Sequence, residues 1–143
     1  MANVVLERSV IQAVAREGLR ERLLYFVGKP KRRSSLLDAI HTSEFLSPVA
    51  CVALPPACTS GPRGNGVKVL REHLARLGAG DDCYAISLLS TLDGRTLPLT
   101  NALDECFMNT VETLLFDPAS GVGYFEGGHP DDRFIVRTTR AAL

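Results

Sequence analysis

Residues 113–127 read TLLFDPASGVGYFEG, two short apolar runs divided by a turn at Pro118 to Gly121. Each run is too short for a stable helix and carries β-branched or aromatic residues, while the divider holds residues that favour turns. The segment predicts a β-hairpin. A lone hairpin is marginal in water, so the chain must supply further strands and helices to cover its apolar faces.

The upstream sequence offers both. Leu6, Val10, Ala13 and Val14 recur at helical spacing among Glu7, Arg8, Gln12, Arg16 and Glu17, which predicts an amphipathic first helix ended or weakened by Gly18. In LRERLLYFVG, Tyr25-Phe26-Val27 ahead of Gly28 and Pro30 predicts a strand. Ser35 with Asp38 three residues on resembles a capping box and predicts a helix carrying Leu36, Leu37 and Ile40. VACVAL, stopped by Pro55-Pro56, predicts a second strand.

Val67, Leu70, Leu74 and Leu77 mark one face of a helix over 67–77, with Gly78 as its C-terminal cap. CYAISLLSTL reads as a buried strand, and Asp93-Gly94 behind it turns TLPL back as a partner. Thr100 or Asn101 starts another helix, with Leu103, Cys106, Phe107 and Val111 inward, and FIVRTT (134–139) closes the chain as a strand. The expected fold class is α+β: a single domain over 1–143, a mixed sheet of about five strands, three or four helices and a C-terminal β-hairpin.

The 143 residues, 45% hydrophobic and 22% charged, are enough for a core without disulfides or metal. Lys plus Arg and Asp plus Glu both number 16, so the formal charge is zero. A globally basic nucleic-acid binder is thereby excluded, and any such function needs a local patch. The start, MANVVLERS, meets charge at Glu7 and Arg8 before an apolar region develops, unlike a signal peptide. The longest uncharged stretch, Phe45 to Pro62, is broken by Pro48, Pro55 and Pro56 and does not read as a membrane span. Cys51, Cys58, Cys83 and Cys106 form no C-x-x-C pair and read as reduced thiols in a cytoplasmic protein.

Two features invite a ligand. In Gly61-Pro-Arg-Gly-Asn-Gly66, glycines precede a helix whose free N–H groups and dipole favour an anion, with Arg63, Gly64 and Gly66 as its candidate residues. The spacing is neither Walker A nor G-x-G-x-x-G, and a plain connecting loop is the simpler reading. Lys29, Lys31, Arg32 and Arg33 form a second candidate, a basic cluster around Pro30 able to bind phosphates or simply to stay solvated. If the two lie side by side they make one anion site.

Arg63-Gly-Asn-Gly66-Val67 resembles the acyl-CoA pyrophosphate loop of GCN5-related N-acetyltransferases, Q/R-x-x-G-x-G/A, with Lys68 in place of the last small residue. The resemblance covers about the middle third of the chain. It implies an acyl-CoA-dependent N-acyltransferase.

The remaining polar candidates have simpler readings. His41 and His73 border apolar helix faces, and His129 with Asp131 and Asp132 reads as a surface turn. Cys58 is a loop thiol with Arg63 nearby in sequence. Glu126 either projects into a cleft as general bases do or faces solvent.

No cofactor and no metal is expected. The leading expectation is a cytosolic interaction domain without a complete catalytic constellation, with a homodimer or a protein partner and no membrane. Its alternatives are a binder of a phosphate-bearing ligand (nucleotide or nucleic acid) through Lys29–Arg33 and the Gly61–Gly66 loop, and the acyltransferase.

Overall fold

The computed structural model describes residues 3–138. In chain order these form α1 (Val4–Val14), α2 (Glu17–Phe26), a 3₁₀ turn at Pro30–Arg32, α3 (Arg33–Ala39), β1 (Cys51–Ala53) and a 3₁₀ turn at Pro56–Cys58. There follow α4 (Arg63–Arg76), β2 (Asp82–Ser87), β3 (Thr96–Pro98), α5 (Leu99–Cys106), β4 (Thr113–Asp117), β5 (Val122–Glu126) and β6 (Arg133–Arg137).

The expected hairpin is β4–β5, paired Leu114 to Phe125 and Leu115 to Tyr124. The Asp93-Gly94 turn likewise returns β3 against β2, with Cys83 opposite Leu97. The described strands make one sheet in the order β1-β6-β5-β4-β2-β3. The α+β class holds, with three corrections. Among the described residues there are six strands rather than about five, five α-helices rather than three or four, and every pairing is antiparallel, so the sheet is not mixed. Both edge strands have only three residues, which limits the unpaired backbone open to another chain.

Side chains alternate across this sheet into two cores. Tyr84, Ile86, Leu114, Phe116, Phe125 and Val136 pack under α1–α3. Cys83, Ala85, Leu115, Tyr124 and Ile135 pack under α4 and α5. Helices on both faces explain why the central strands read as nearly continuous apolar runs rather than as alternating ones. Burying each large side chain contributes roughly 1.5–3 kcal/mol. Among the described residues, no helix is long and apolar enough to cross a membrane.

Four local expectations are corrected. Tyr25 and Phe26 end α2 rather than forming a strand. Leu23, Leu24 and Val27 are buried against the first core, with Leu19 and Phe26 packed beside them, and this helical spacing overrides the strand propensity of Tyr-Phe-Val. The first helix ends at Val14, not at Gly18, because Arg16 N–H donates to the Phe45 carbonyl and Ser47 N–H to the Val14 carbonyl. α3 begins at Arg33 on the preceding 3₁₀ turn, and Ser35 caps nothing. α4 begins at Arg63, four residues ahead of the expected Val67. Of the last expected strand, Thr139 lies outside the described residues.

Candidate functional site

The glycine segment lies on the α4–α5 face. Gly64 and Gly66 belong to the first turn of α4 rather than to a loop. A Cβ on Gly66 would sit 2.2 Å from the Cys58 carbonyl oxygen and 2.9 Å from the Phe107 ring. Glycine is therefore needed there for helix-to-backbone contact. The Arg63 guanidinium points along the chain end of α5, where Nε donates to the Phe107 carbonyl at 2.7 Å and Nη2 donates to the Asp104 carbonyl. It satisfies carbonyls that the end of a helix leaves without partners.

The basic cluster lies on the other face, with α1–α3, so the two candidate features are not one site. Its four cations separate into two kinds. Arg33 reaches inward: Nε and Nη2 donate to Asp93 Oδ2 and Oδ1 at 2.9 and 2.6 Å, and Nη1 donates to Glu7 Oε1. Glu7, fully buried on α1, also accepts from the Tyr84 hydroxyl at 2.5 Å, and Asp93 accepts from Ser87 N–H at 2.9 Å. Burial works against the Arg33 charge, but its hydrogen bonds to Asp93 and Glu7 outweigh that and raise its pKa further. The Tyr84 hydroxyl is pushed up by burial and then by its bond to Glu7. Formally, two carboxylates face one guanidinium and leave one negative charge.

Lys29, Lys31 and Arg32 stay exposed on the turn. Lys29 Nζ donates to the Tyr25 carbonyl at 2.6 Å and stands 4.2 Å from the centre of the Tyr25 ring. The Lys31 and Arg32 side chains have no ion pair or hydrogen bond among the described residues.

Beside this turn lies an open cleft of about 580 Å³, lined by Val4, Phe26, Gly28, Lys29, Pro30, Arg33, Asp93 and Gly94. Gly28 takes φ +78° where α2 stops, and Val4 packs against it. Val4 is 43% exposed, and the neighbouring Val5 and Tyr25 are 76% and 54% exposed. Lys31 and Arg32 border a second, shallower depression of about 490 Å³, which adjoins this cleft at Gly28, Lys29 and Pro30.

The other polar groups are engaged in holding the fold. Glu126 is fully buried and neither faces solvent nor opens on a cleft. It accepts from Tyr124 Oη, Arg133 Nε, Met108 N–H and Thr110 N–H. That ties down a loop in which Met108 and Thr110 take φ of 62° and 57°, conformations costly outside glycine. His41 is exposed rather than partly buried, its Nδ1 3.2 Å from Glu112 Oε2. It borders a second cleft of about 520 Å³ between α2 and α3, floored by Leu23, Phe26 and Phe45. His73 is half-buried on α4, and His129 is exposed. Cys58, Cys83 and Cys106 are buried free thiols and Cys51 is half-buried. Burial raises Cys58, so Arg63 does not activate it. Among the described residues, no group of three or more His, Cys, Asp or Glu is placed to hold a metal ion.

The sequence pointed to Lys29, Lys31 and Arg32 but not to Val4, Phe26, Glu7 and Asp93 beside them. Glu7 reads as an ordinary polar position of an amphipathic helix, and Asp93 as the first residue of a turn. Nothing local links either to Arg33.

Comparison with known proteins adds no relative: no family model, curated protein or solved structure matches the chain significantly.

Proposed function

We propose that the protein is a non-enzymatic interaction domain that recognises a partner through the cleft between α1, the end of α2 and the Asp93-Gly94 turn. The observation that carries this reading is the company kept by the apolar side chains there. Val4 is exposed against Gly28 and Tyr25 against Lys29, at the start of the turn that carries Lys31 and Arg32, on backbone held by Pro30 and by the Arg33–Asp93–Glu7 network. Exposed apolar groups flanked by cations on a rigid frame suit recognition of another molecule. Arg33 and Asp93, which line the cleft, are bonded to each other and serve the frame.

Selection of a naive displayed-peptide library against the intact chain tests this reading. Enriched peptides should bind in solution and lose affinity on V4D. A selection that enriches no peptide, or peptides whose binding V4D leaves unchanged, contradicts it.

A phosphate-bearing ligand on the same turn is the second reading, favoured by the side chains of Lys31 and Arg32, which have no partner among the described residues. Its signature is salt-sensitive binding of a nucleotide or oligonucleotide, lost on Lys31→Ala with Arg32→Ala.

A further inference from the structure

We infer that the partner segment is an acidic peptide with an apolar anchor: one apolar side chain enters between Val4, Phe26 and Pro30, and flanking carboxylates meet Lys31 and Arg32. This rests on the interaction reading above and adds the chemistry of what is recognised.

Charge decides where each part of the ligand goes. Arg33 and Asp93 line the cleft, with Arg33 Nε and Nη2 both bonded to Asp93, and the fully buried Glu7 accepts from Arg33 Nη1 behind them. A carboxylate pushed to that depth meets an excess of negative charge. The adjoining depression is the reverse: Lys31 and Arg32 border it, exposed, without partners among the described residues, and carried on a 3₁₀ turn whose first residue is Pro30. Proline fixes that turn's backbone, so its cations are positioned before the ligand arrives. Lys29 is held back by the Tyr25 carbonyl and ring, which leaves Lys31 and Arg32 as the ligand's contacts.

Apolar surface decides between kinds of polyanion. A nucleic-acid strand needs a run of cations along its backbone, usually with a basic domain behind it. Here the formal charge of the whole chain is zero, and the cations at the cleft occupy one turn. Val4 at 43% exposure and Pro30 supply a wall for an aliphatic or aromatic side chain, which a sugar–phosphate backbone does not use. A peptide provides anchor and charge together.

Fluorescence anisotropy with a labelled peptide, a single Leu flanked on each side by paired Glu, tests the inference. The isomer with Lys for Glu, a single-stranded oligonucleotide and phosphatidylserine vesicles serve as the competing probes. The Glu peptide should bind the full chain and the Lys isomer should not. Binding should weaken about tenfold or more in K31E/R32E and several-fold as salt rises through physiological strength. Both substitutions lie on exposed side chains and should leave the unfolding temperature in place. Equal or better binding of the Lys isomer overturns the inference. So does binding confined to the oligonucleotide or the vesicles, or peptide binding that K31E/R32E leaves intact. If the library yields cleft-binding peptides without acidic residues, the interaction reading stands and this inference falls. If no peptide binds, both fall.

Discussion

Arg63 Nε donates to the Phe107 carbonyl at 2.7 Å, joining the first turn of α4 to the end of α5. Hydrogen bonds from a charged donor contribute roughly 1.5–3 kcal/mol. Arg63→Ala should lower the unfolding free energy by about 1–3 kcal/mol, measured by urea denaturation. Arg63→Lys should recover little, since a point charge does not reproduce the guanidinium fork. Unchanged stability would return Arg63 to the role of a free ligand contact.

Neighbouring glycines should respond in opposite directions. Gly66→Ala places a methyl group 2.2 Å from the Cys58 carbonyl oxygen. That forces the first turn of α4 to move, at a cost on the order of 1–3 kcal/mol. A Cβ on Gly64 meets nothing within 4 Å. Gly64→Ala should therefore stabilise by up to about 1 kcal/mol, through helix propensity and a less flexible unfolded chain. Thermal unfolding of the two variants side by side checks the pair.

Removing Arg33 leaves the fully buried Glu7 carboxyl with Tyr84 as its one remaining side-chain partner among the described residues. Breaking such a pair from one side costs roughly 3–5 kcal/mol. Arg33→Ala should therefore be far more damaging than Arg32→Ala, whose side chain is exposed. A double-mutant cycle over Arg33 and Glu7 should show strong coupling. Additive effects would contradict the network.

The later half of the chain was legible because its signals are local. The β4–β5 hairpin and the Asp93-Gly94 return are fixed by turn residues beside the strands they join. The segment Tyr25-Phe26-Val27 forms no strand because burial of Leu23, Leu24 and Val27 in the first core outweighs its propensity for strand. The glycine segment attracted a ligand reading because glycine is equally suited to approach by a phosphate and by a carbonyl. In this chain the approaching atom is the Cys58 oxygen. The cleft was half legible. Its cations stand together in sequence, while Glu7 and Asp93 lie 26 and 60 residues from Arg33 and are joined to it by folding alone.

Alkaline pH should destabilise the protein. Burial pushes the Cys83 thiol from an ordinary 9.0 up to about 12. Cys106, Tyr84 and Tyr124 are shifted in the same direction, chiefly by burial. A raised folded pKa means that the native state keeps a proton the unfolded chain has lost. The stabilisation is whole below pH 9 and falls as pH rises toward 12, by on the order of 1.4 kcal/mol per pH unit for each such proton. Urea midpoints measured between neutrality and pH 10.5 should fall, and Cys83→Ala should flatten the fall. Midpoints independent of pH would contradict these shifts.

The most direct test of the recognition cleft is an amide-resolved NMR titration of the full chain with the Glu-flanked peptide. Shifts confined to Val4, Phe26, Gly28, Lys31, Arg32 and Gly94 are the predicted result. Shifts centred on Arg63, Gly64 and Gly66, across the sheet, would contradict the account and restore the glycine segment as the binding site.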